Sequence, residues 1–325
     1  MKVSVDQIRQ ASRDALTAAG AAPWVAASVA EAVAQAEAHG NVICGLYYLE
    51  SYVLQLRSGR VSGTVEPEVT RPKPGAVLAD ARFGFAQPAF ERGLPVALDA
   101  ARDQGIALFS VAHSHTCTSL GYFTEQIARA GCVAIGMTNA SAIVSAPGGA
   151  KRMLGTNPLA FSVPRDGSGL ALHFDSSTSA VALGKITMAK AAGERIPEGW
   201  AVDADGAPTT DPAAALQGSL VSAAGYKGWG LGLLVEVLAA ALTGSVASRD
   251  VSGLKLSDGP PHGLGQSYIV ISPDVFAADF AGHLAALEAV VTADPGARLP
   301  GAARAPKAEI DVPDALWELT QSLAA

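Results

Sequence analysis

Of the 325 residues only three are cysteine, Cys44, Cys117 and Cys132. The number is odd and the spacings match no Cys-x-x-Cys motif, which excludes a disulfide framework and fits a reducing compartment. Charge is also scarce. Only 16% of residues are charged, the net charge is −7, and no run of Lys or Arg could neutralise successive phosphates of a duplex, so no nucleic-acid partner is expected. No apolar run approaches the ~20 residues that cross a bilayer, and Met1-Lys2-Val3-Ser4-Val5-Asp6-Gln7 lacks the apolar core of a signal peptide. The expectation is therefore a cytoplasmic protein with no membrane partner. What is abundant is apolar bulk: 49% of residues, enough at this length for a sizeable core in one large or two modest domains.

Apolar residues recur at helical spacing over 5–38 and are interrupted at Gly20-Ala21-Ala22-Pro23, which predicts two helices with Pro23 in the first turn of the second. A third amphipathic stretch, 46–56, ends at Ser58-Gly59-Arg60, and the Pro-punctuated Arg71-Pro72-Lys73-Pro74-Gly75 marks a soft boundary. Beyond it β-rich runs (76–78, 106–112, 132–138, 159–164, 170–174, 266–271) alternate with helical ones (88–104, 121–130, 229–242, 275–292), followed by a terminal helix over 313–323. This is an α/β pattern. The turn formers across 199–212 predict a surface loop.

Three segments could carry chemistry. Gly225-Tyr226-Lys227-Gly228 opens an apolar helix, so backbone N–H groups, the helix dipole and the Lys227 charge could cradle a phosphate; a plain glycine turn fits as well, and the spacing is neither a P-loop nor a Rossmann fingerprint. Ala146-Pro147-Gly148-Gly149-Ala150-Lys151-Arg152, continuing into Leu154-Gly155-Thr156-Asn157-Pro158, sets glycines beside two cations, as a tight surface turn also would. His113-Ser114-His115-Thr116-Cys117-Thr118-Ser119 follows a predicted strand, the usual place for ligands of α/β proteins, and two histidines on one side suggest acid–base work or structural packing. As zinc ligands they lack a nearby carboxylate, so no metal is expected. Asp175 could bind ribose hydroxyls or close a strand end.

Taken in order, the His-rich turn with Gly121-Tyr122, Met137-Thr138-Asn139, Pro147-Gly148-Gly149, Leu154-Gly155-Thr156-Asn157-Pro158, Asp175 to Lys185, Gly193-Glu194-Arg195-Ile196-Pro197-Glu198-Gly199-Trp200 and Gly225-Tyr226-Lys227-Gly228 resemble the type-2 malate/L-lactate dehydrogenase family. That family also includes sulfolactate and ureidoglycolate dehydrogenases and Δ1-piperideine-2-carboxylate reductases, and the likeness covers nearly the whole chain. The resemblance implies an α/β, non-Rossmann mixed-sheet nicotinamide-dependent dehydrogenase fold with helical N- and C-terminal segments. Residues 1–70 and 285–325 would form the helical substrate and dimerisation part, and 71–284 the α/β cofactor-binding part. It further implies a homodimer and NAD or NADP acting on a small substrate. Carried over by position, cofactor contacts fall on Thr116, Cys117, Thr118, Ser119 and Leu120, on Phe174, Asp175 and Ser176, on Lys227 and Gly228, and on Gly301, while Thr156 faces the substrate.

The departures are informative. At Ile43-Cys44-Gly45-Leu46-Tyr47-Tyr48 the family has Ser-His-Gly followed by an Arg that grips the substrate carboxylate, and here Ser, His and Arg are all absent unless the register shifts to His39-Gly40. Lys185 stands where the imine-reducing members have an Asp. Hydride delivery to C=O builds charge on oxygen and needs a positioned acid worth roughly 10²- to 10⁴-fold, whereas a cyclic imine can enter already protonated. The expectation is therefore an oxidoreductase reducing a small 2-imino acid (a cyclic ketimine such as pyrroline- or piperideine-2-carboxylate) or a 2-oxo acid. His115 or Cys44 would be the proton donor, and Tyr48, Thr156 or Arg152 would take over carboxylate recognition. The alternatives are a malate-, lactate- or sulfolactate-type 2-hydroxy acid dehydrogenase and a catalytically impaired nicotinamide nucleotide-binding protein.

Overall fold

The computed structural model describes residues 1–165, 167, 169–276, 278–301 and 305–324. Helix α1 (Val5–Ala18) begins at Ser4, whose hydroxyl accepts from Gln7 N–H at 3.2 Å while the Gln7 side chain accepts from Ser4 N–H at 2.9 Å. This reciprocal box satisfies two otherwise orphaned donors, and a cap of this kind is worth about 1 kcal/mol. Helix α2 (Pro23–Ala38) starts on Pro23 and is rich in Ala and Val on nearly every face, so it is buried through most of its length. A single 3-10 turn, Val42–Cys44, leads into α3 (Leu46–Ser58), which stops at Gly59 in the left-handed conformation (φ 77°).

The main sheet has seven strands in the order Glu68–Lys73, Ala76–Asp80, Ile106–Ser114, Leu264–Ile271, Val133–Thr138, Leu159–Pro164, Leu170–Ser176. Only the Ala76–Asp80 and Ile106–Ser114 pair is parallel; Leu264–Ile271 enters between two strands and runs antiparallel to both. That mixed pairing is not the doubly wound order of a Rossmann domain. Helices α4 (Ala86–Gln104) and α5 (Gly121–Arg129) contribute to a core with Phe90, Phe109, Phe123 and Tyr268 at its centre, their rings 4.9–6.1 Å apart.

A smaller sheet orders Pro208–Thr209, Ala201–Val202, Ser219–Leu220, Val144–Ser145 and Arg152–Leu154. Residues 199–212, expected to be a surface loop, thus contain an antiparallel hairpin; its strands are two residues each, too short for alternation to show. Helix α6 (Leu183–Ala192), which the sequence reading leaves unassigned, and α7 (Pro212–Gln217) accompany this sheet. Helix α8 (Tyr226–Val235) continues into a π-helical segment, Glu236–Ala241, and between them they pack Val235 and Ala239 against Met137 of the main sheet.

Helix α9 (Phe280–Thr292) starts five residues later than its apolar pattern suggests and has no buried residue. The chain end then returns: Glu309–Asp311 pairs antiparallel with Lys2–Ser4, and α10 (Asp314–Ser322) sets Trp317 into a core shared with Ile8, Leu16, Val29, Leu49 and Tyr52. No helix is long and apolar enough to cross a membrane among the described residues.

Candidate active site

The site is built around the turn that precedes α3. Gly45 has no side chain where a Cβ would meet Glu37 Oε1 at 2.2 Å, and that vacancy lets the buried Glu37 carboxyl reach the helix start and accept from Leu46 N–H at 2.8 Å. Burial raises the Glu37 pKa, and the Leu46 hydrogen bond offsets part of the rise. Cys44, Tyr48 and Tyr52 then follow at i, i+4 spacing and share one face. Tyr48 and Tyr52 have ring centroids 5.9 Å apart, and the fully buried Tyr52 hydroxyl has no hydrogen-bond partner among the described residues. The Cys44 thiol is pushed up to about 12, first by burial and then by the negative charge of Asp175, with a hydrogen bond from Asn41 opposing and Glu37 adding a smaller rise. Tyr48 is likewise pushed up to about 12 by burial. Both groups keep their protons at neutral pH.

The facing wall is the 116–120 turn and the end of the Leu170–Ser176 strand. Asp175 Oδ2 accepts from Gly121 N–H at 2.7 Å, tying the strand end to the start of α5. Asn41 Nδ2 donates to Ser119 Oγ at 3.4 Å and so links this wall to the turn carrying Cys44. Cys117 is buried and Leu120 packs in the core, so of the 116–120 segment Ser119 is the residue that lines a cavity, one of about 430 Å³ that also includes Asn41, His39, His173 and Asp175. A second cavity of about 440 Å³, lined by Phe174, Ser176, Arg298 and Gly301, shares His173 and Asp175 with the first. Two adjoining cavities of this size, with polar groups along a common edge, suit an elongated ligand such as a dinucleotide.

The remaining expected residues gather around Thr178, two positions beyond Ser176. Its N–H and hydroxyl both donate to Thr156 O, at 2.9 and 3.0 Å. At the start of α8 a Cβ on Gly228 would meet Ala223 O at 2.2 Å and Thr178 O at 2.9 Å, so only glycine fits, while Lys227 beside it is exposed. The strand end 175–178 thus joins the cavity wall to the Lys227–Gly228 turn and to Thr156. At the first turn of α6 Gly184 packs against Ile43. Lys185 follows Gly184 and is exposed, and His39, which lines the first cavity, sits at the end of α2 with Nδ1 on Gln35 O at 2.9 Å.

Two expected roles are corrected. His115 lines neither of these cavities. It is 2% exposed, its Nε2 is hydrogen-bonded to Gln55 Oε1 at 2.7 Å, and its ring lies against Tyr52, Phe85 and, stacked at 4.2 Å, His262. Burial, then His262, then Arg60 lower its pKa well below the usual histidine range, so it is a neutral packing group and not a proton donor. Arg152 is likewise committed elsewhere: its Nε donates to Gly218 O and its Nη2 to Leu216 O, both at 2.7 Å, capping the last carbonyls of α7. His113, expected on the same side as His115, has φ 49°, which breaks strand alternation, and turns to Asp80 Oδ2 (3.1 Å) and Gly244 O (3.2 Å).

Sequence reasoning missed Asn41, His173 and Arg298, which line the cavities, and Glu37, whose charge acts on Cys44. A Glu at the buried end of an otherwise Ala- and Val-rich helix is the one signal that was available, because a carboxyl there needs a partner.

The sequence profile of the family described as malate/L-lactate dehydrogenase matches residues 3–318. Among curated relatives, a Δ(1)-pyrroline-2-carboxylate reductase of Ancylobacter novellus is 38% identical over 333 aligned positions, spanning 99% of this chain and 97% of the relative. A (2R)-3-sulfolactate dehydrogenase (NADP(+)) of Chromohalobacter salexigens is 40% identical over 291 positions, spanning 89% of this chain and 86% of the relative. The crystal structure of Δ1-piperideine-2-carboxylate reductase from Pseudomonas syringae superposes with a TM-score of 0.92 at 35% identity and covers 99% of each chain. The mixed seven-stranded sheet, the adjoining cavities and these relatives agree: the chain belongs to the malate/L-lactate dehydrogenase family of NAD(P)-dependent oxidoreductases.

Proposed function

We propose that this enzyme reduces a cyclic 2-imino acid of the Δ1-pyrroline-2-carboxylate or Δ1-piperideine-2-carboxylate type. The observation that carries the proposal is the sign of the charges acting on Cys44: beside the larger effect of burial, which resists any charge, Asp175 and Glu37 both act to hold the thiol protonated. That carboxylate part of the environment resists the oxyanion that develops when C=O is reduced and favours a cationic iminium. For scale, two unit charges about 6 Å apart interact by roughly 3 kcal/mol at an effective dielectric near 20, on the order of 100-fold in rate.

A bound nicotinamide cofactor would supply a hydride to C2 of the substrate. On an iminium the C=N π pair would become the nitrogen lone pair, so the residues of this chain would have no proton to deliver. With Cys44 and Tyr48 both held as neutral donors, the residues lining the site need only orient the iminium and exclude water. The cofactor residues would be Ser119 with its neighbours Thr116–Leu120, Phe174–Ser176, Lys227–Gly228 and Gly301, with Thr156 toward the substrate. Arg298, on the cavity with Ser176 and Gly301, favours NADPH over NADH by offering a cation to an additional phosphate.

The active form would be a homodimer. Leu231, Leu233, Leu234, Val237 and Leu242 are exposed along α8 and its continuation, a run of apolar surface that a second copy would cover. On this reading the expected division shifts: 1–70 serves the substrate and 71–284 the cofactor, but the dimer face lies on α8 within 71–284, and Arg298 and Gly301 of 285–325 join the cofactor side. The test is following NADPH oxidation with a panel of cyclic 2-imino acids and 2-oxo acids; faster turnover of the oxo acids would refute the reading.

A further inference from the structure

If the site takes a 2-imino acid, the substrate brings a carboxylate into a region whose nearest charges, Asp175 and Glu37, are negative. That end of the molecule needs a cation. The first turns of α3 offer none, since Leu46-Tyr47-Tyr48-Leu49-Glu50 contains no Lys or Arg. Arg57 reaches toward Leu323 O, Arg152 caps α7, and the buried Arg60 guanidinium is spent on Gly253 O, Leu256 O, Pro260 O and Ser252 Oγ.

One cation does arrive, from a distant part of the chain. Lys255 Nζ lies 3.4 Å from the Tyr47 ring centroid and 5.4 Å from that of Tyr48, and it donates to Tyr47 O at 3.2 Å. That leaves two of its three N–H donors without a hydrogen bond among the described residues. Its backbone is held with unusual thoroughness for a Gly- and Pro-rich segment. Gln55 Nε2 donates to the carbonyls on both sides of it, Leu254 O at 2.9 Å and Leu256 O at 2.6 Å, and Ser58 Oγ donates to Ser257 O at 2.7 Å. Gln55 is itself fixed by the buried His115. Arg60 adds the four further bonds just named. The helix that follows Cys44 and carries Tyr48 in its first turn therefore grips, with its later turns, the loop that returns a positive charge to that start.

We propose that Lys255 is the substrate-carboxylate anchor, a point charge seated on the Tyr47 and Tyr48 rings, and that Gln55 and Arg60 are positioning residues that aim it. The proposal rests on the reading of this site as one for 2-imino or 2-oxo acids. It competes with Lys185, which follows Gly184, the residue packed on Ile43.

The test compares wild type with Lys255→Met, Lys255→Arg and Lys185→Met. Steady-state kinetics on Δ1-pyrroline-2-carboxylate give KM and kcat separately, and calorimetry on the NADPH complex gives the Kd of pyrrole-2-carboxylate, a planar carboxylate that is not reduced. Loss of a charge-assisted hydrogen bond corresponds to roughly 10- to 100-fold. Lys255→Met is expected to raise KM and Kd by about that factor, with kcat and NADPH affinity within about twofold of wild type; Lys255→Arg recovers most of the binding, and Lys185→Met has a smaller effect than Lys255→Met. Unchanged KM and Kd in Lys255→Met, a loss of cofactor affinity in parallel, or a larger effect from Lys185→Met overturns the assignment. If no imino acid is turned over, the functional reading fails while the calorimetric arm still decides Lys255. A wild-type NADPH complex that does not bind pyrrole-2-carboxylate overturns it as well.

Discussion

The stacked imidazoles of His115 and His262 make the fold sensitive to mild acid. His262 is 1% exposed, its Nδ1 accepts from Thr116 N–H at 3.3 Å, and its Nε2 has no partner among the described residues. Burial and then the Arg60 charge pull its pKa down to about 3. The groups facing the pair are Tyr52, Phe85, Gln55 and Arg60, none of which could neutralise a second cation. A free histidine titrates near 6.5, so as pH falls through that value the unfolded chain binds the proton first and stability drops. The stabilising contribution is complete above about pH 6.5 and is lost progressively toward the folded-state value. Between pH 7.5 and 5.0 a single such histidine costs about 2 kcal/mol, and His115 acts in the same direction. The perturbation is His262→Gln, which keeps an acceptor for Thr116 N–H and cannot titrate. Urea unfolding followed by tryptophan fluorescence at several pH values should show wild type losing about 2 kcal/mol more than the variant over this range. Glu37 and Glu91, whose carboxyls burial pushes upward, act in the opposite sense but are common to both proteins and cancel in the difference. Parallel pH dependences would refute the reasoning.

Cys44→Ala should leave imine turnover within about threefold, because the iminium needs no acid, while Cys44→His should raise turnover of a 2-oxo acid by roughly 10- to 100-fold, part of the usual general-acid gain; a hundredfold loss of imine reduction in Cys44→Ala would instead make the thiol a participant. Gly228→Ala should weaken NADPH binding more than about tenfold in a fluorescence titration, because its Cβ would overlap Ala223 O at 2.2 Å; Gly230→Ala, with nothing within 4 Å, should leave binding unchanged and stabilise α8 by up to about 1 kcal/mol.

The elements that sequence places well are those whose own residues dictate them. The apolar period beginning at Val5 marks the start of α1, Pro23 that of α2, and the β-branched and aromatic runs within 106–112 and 266–271 form the central strands. The family likeness gave the expected site segments and the ungapped register at Ile43–Cys44, which remain proposals. What failed depends on partners far along the chain. Arg152 looks like an available cation until the carbonyls of α7, 64 and 66 positions away, claim it. His113 and His115 share a face only if alternation persists, and the positive φ at His113 ends it. Lys255 and His262 lie in a stretch whose composition says only that it is a loop; their neighbours on α3 give them meaning. The small hairpin within 199–212 and helix α6 escaped because neither has a periodic pattern long enough to separate from turn composition.

The central claim is that the negative environment around Cys44 selects a cationic C=N substrate over C=O. It is tested most directly by measuring kcat/KM with NADPH for Δ1-pyrroline-2-carboxylate and for an open-chain 2-oxo acid of the same carbon count, on one enzyme preparation at one pH. The account predicts a ratio favouring the imine by about 100-fold or more. A ratio near one, or one favouring the oxo acid, would contradict it.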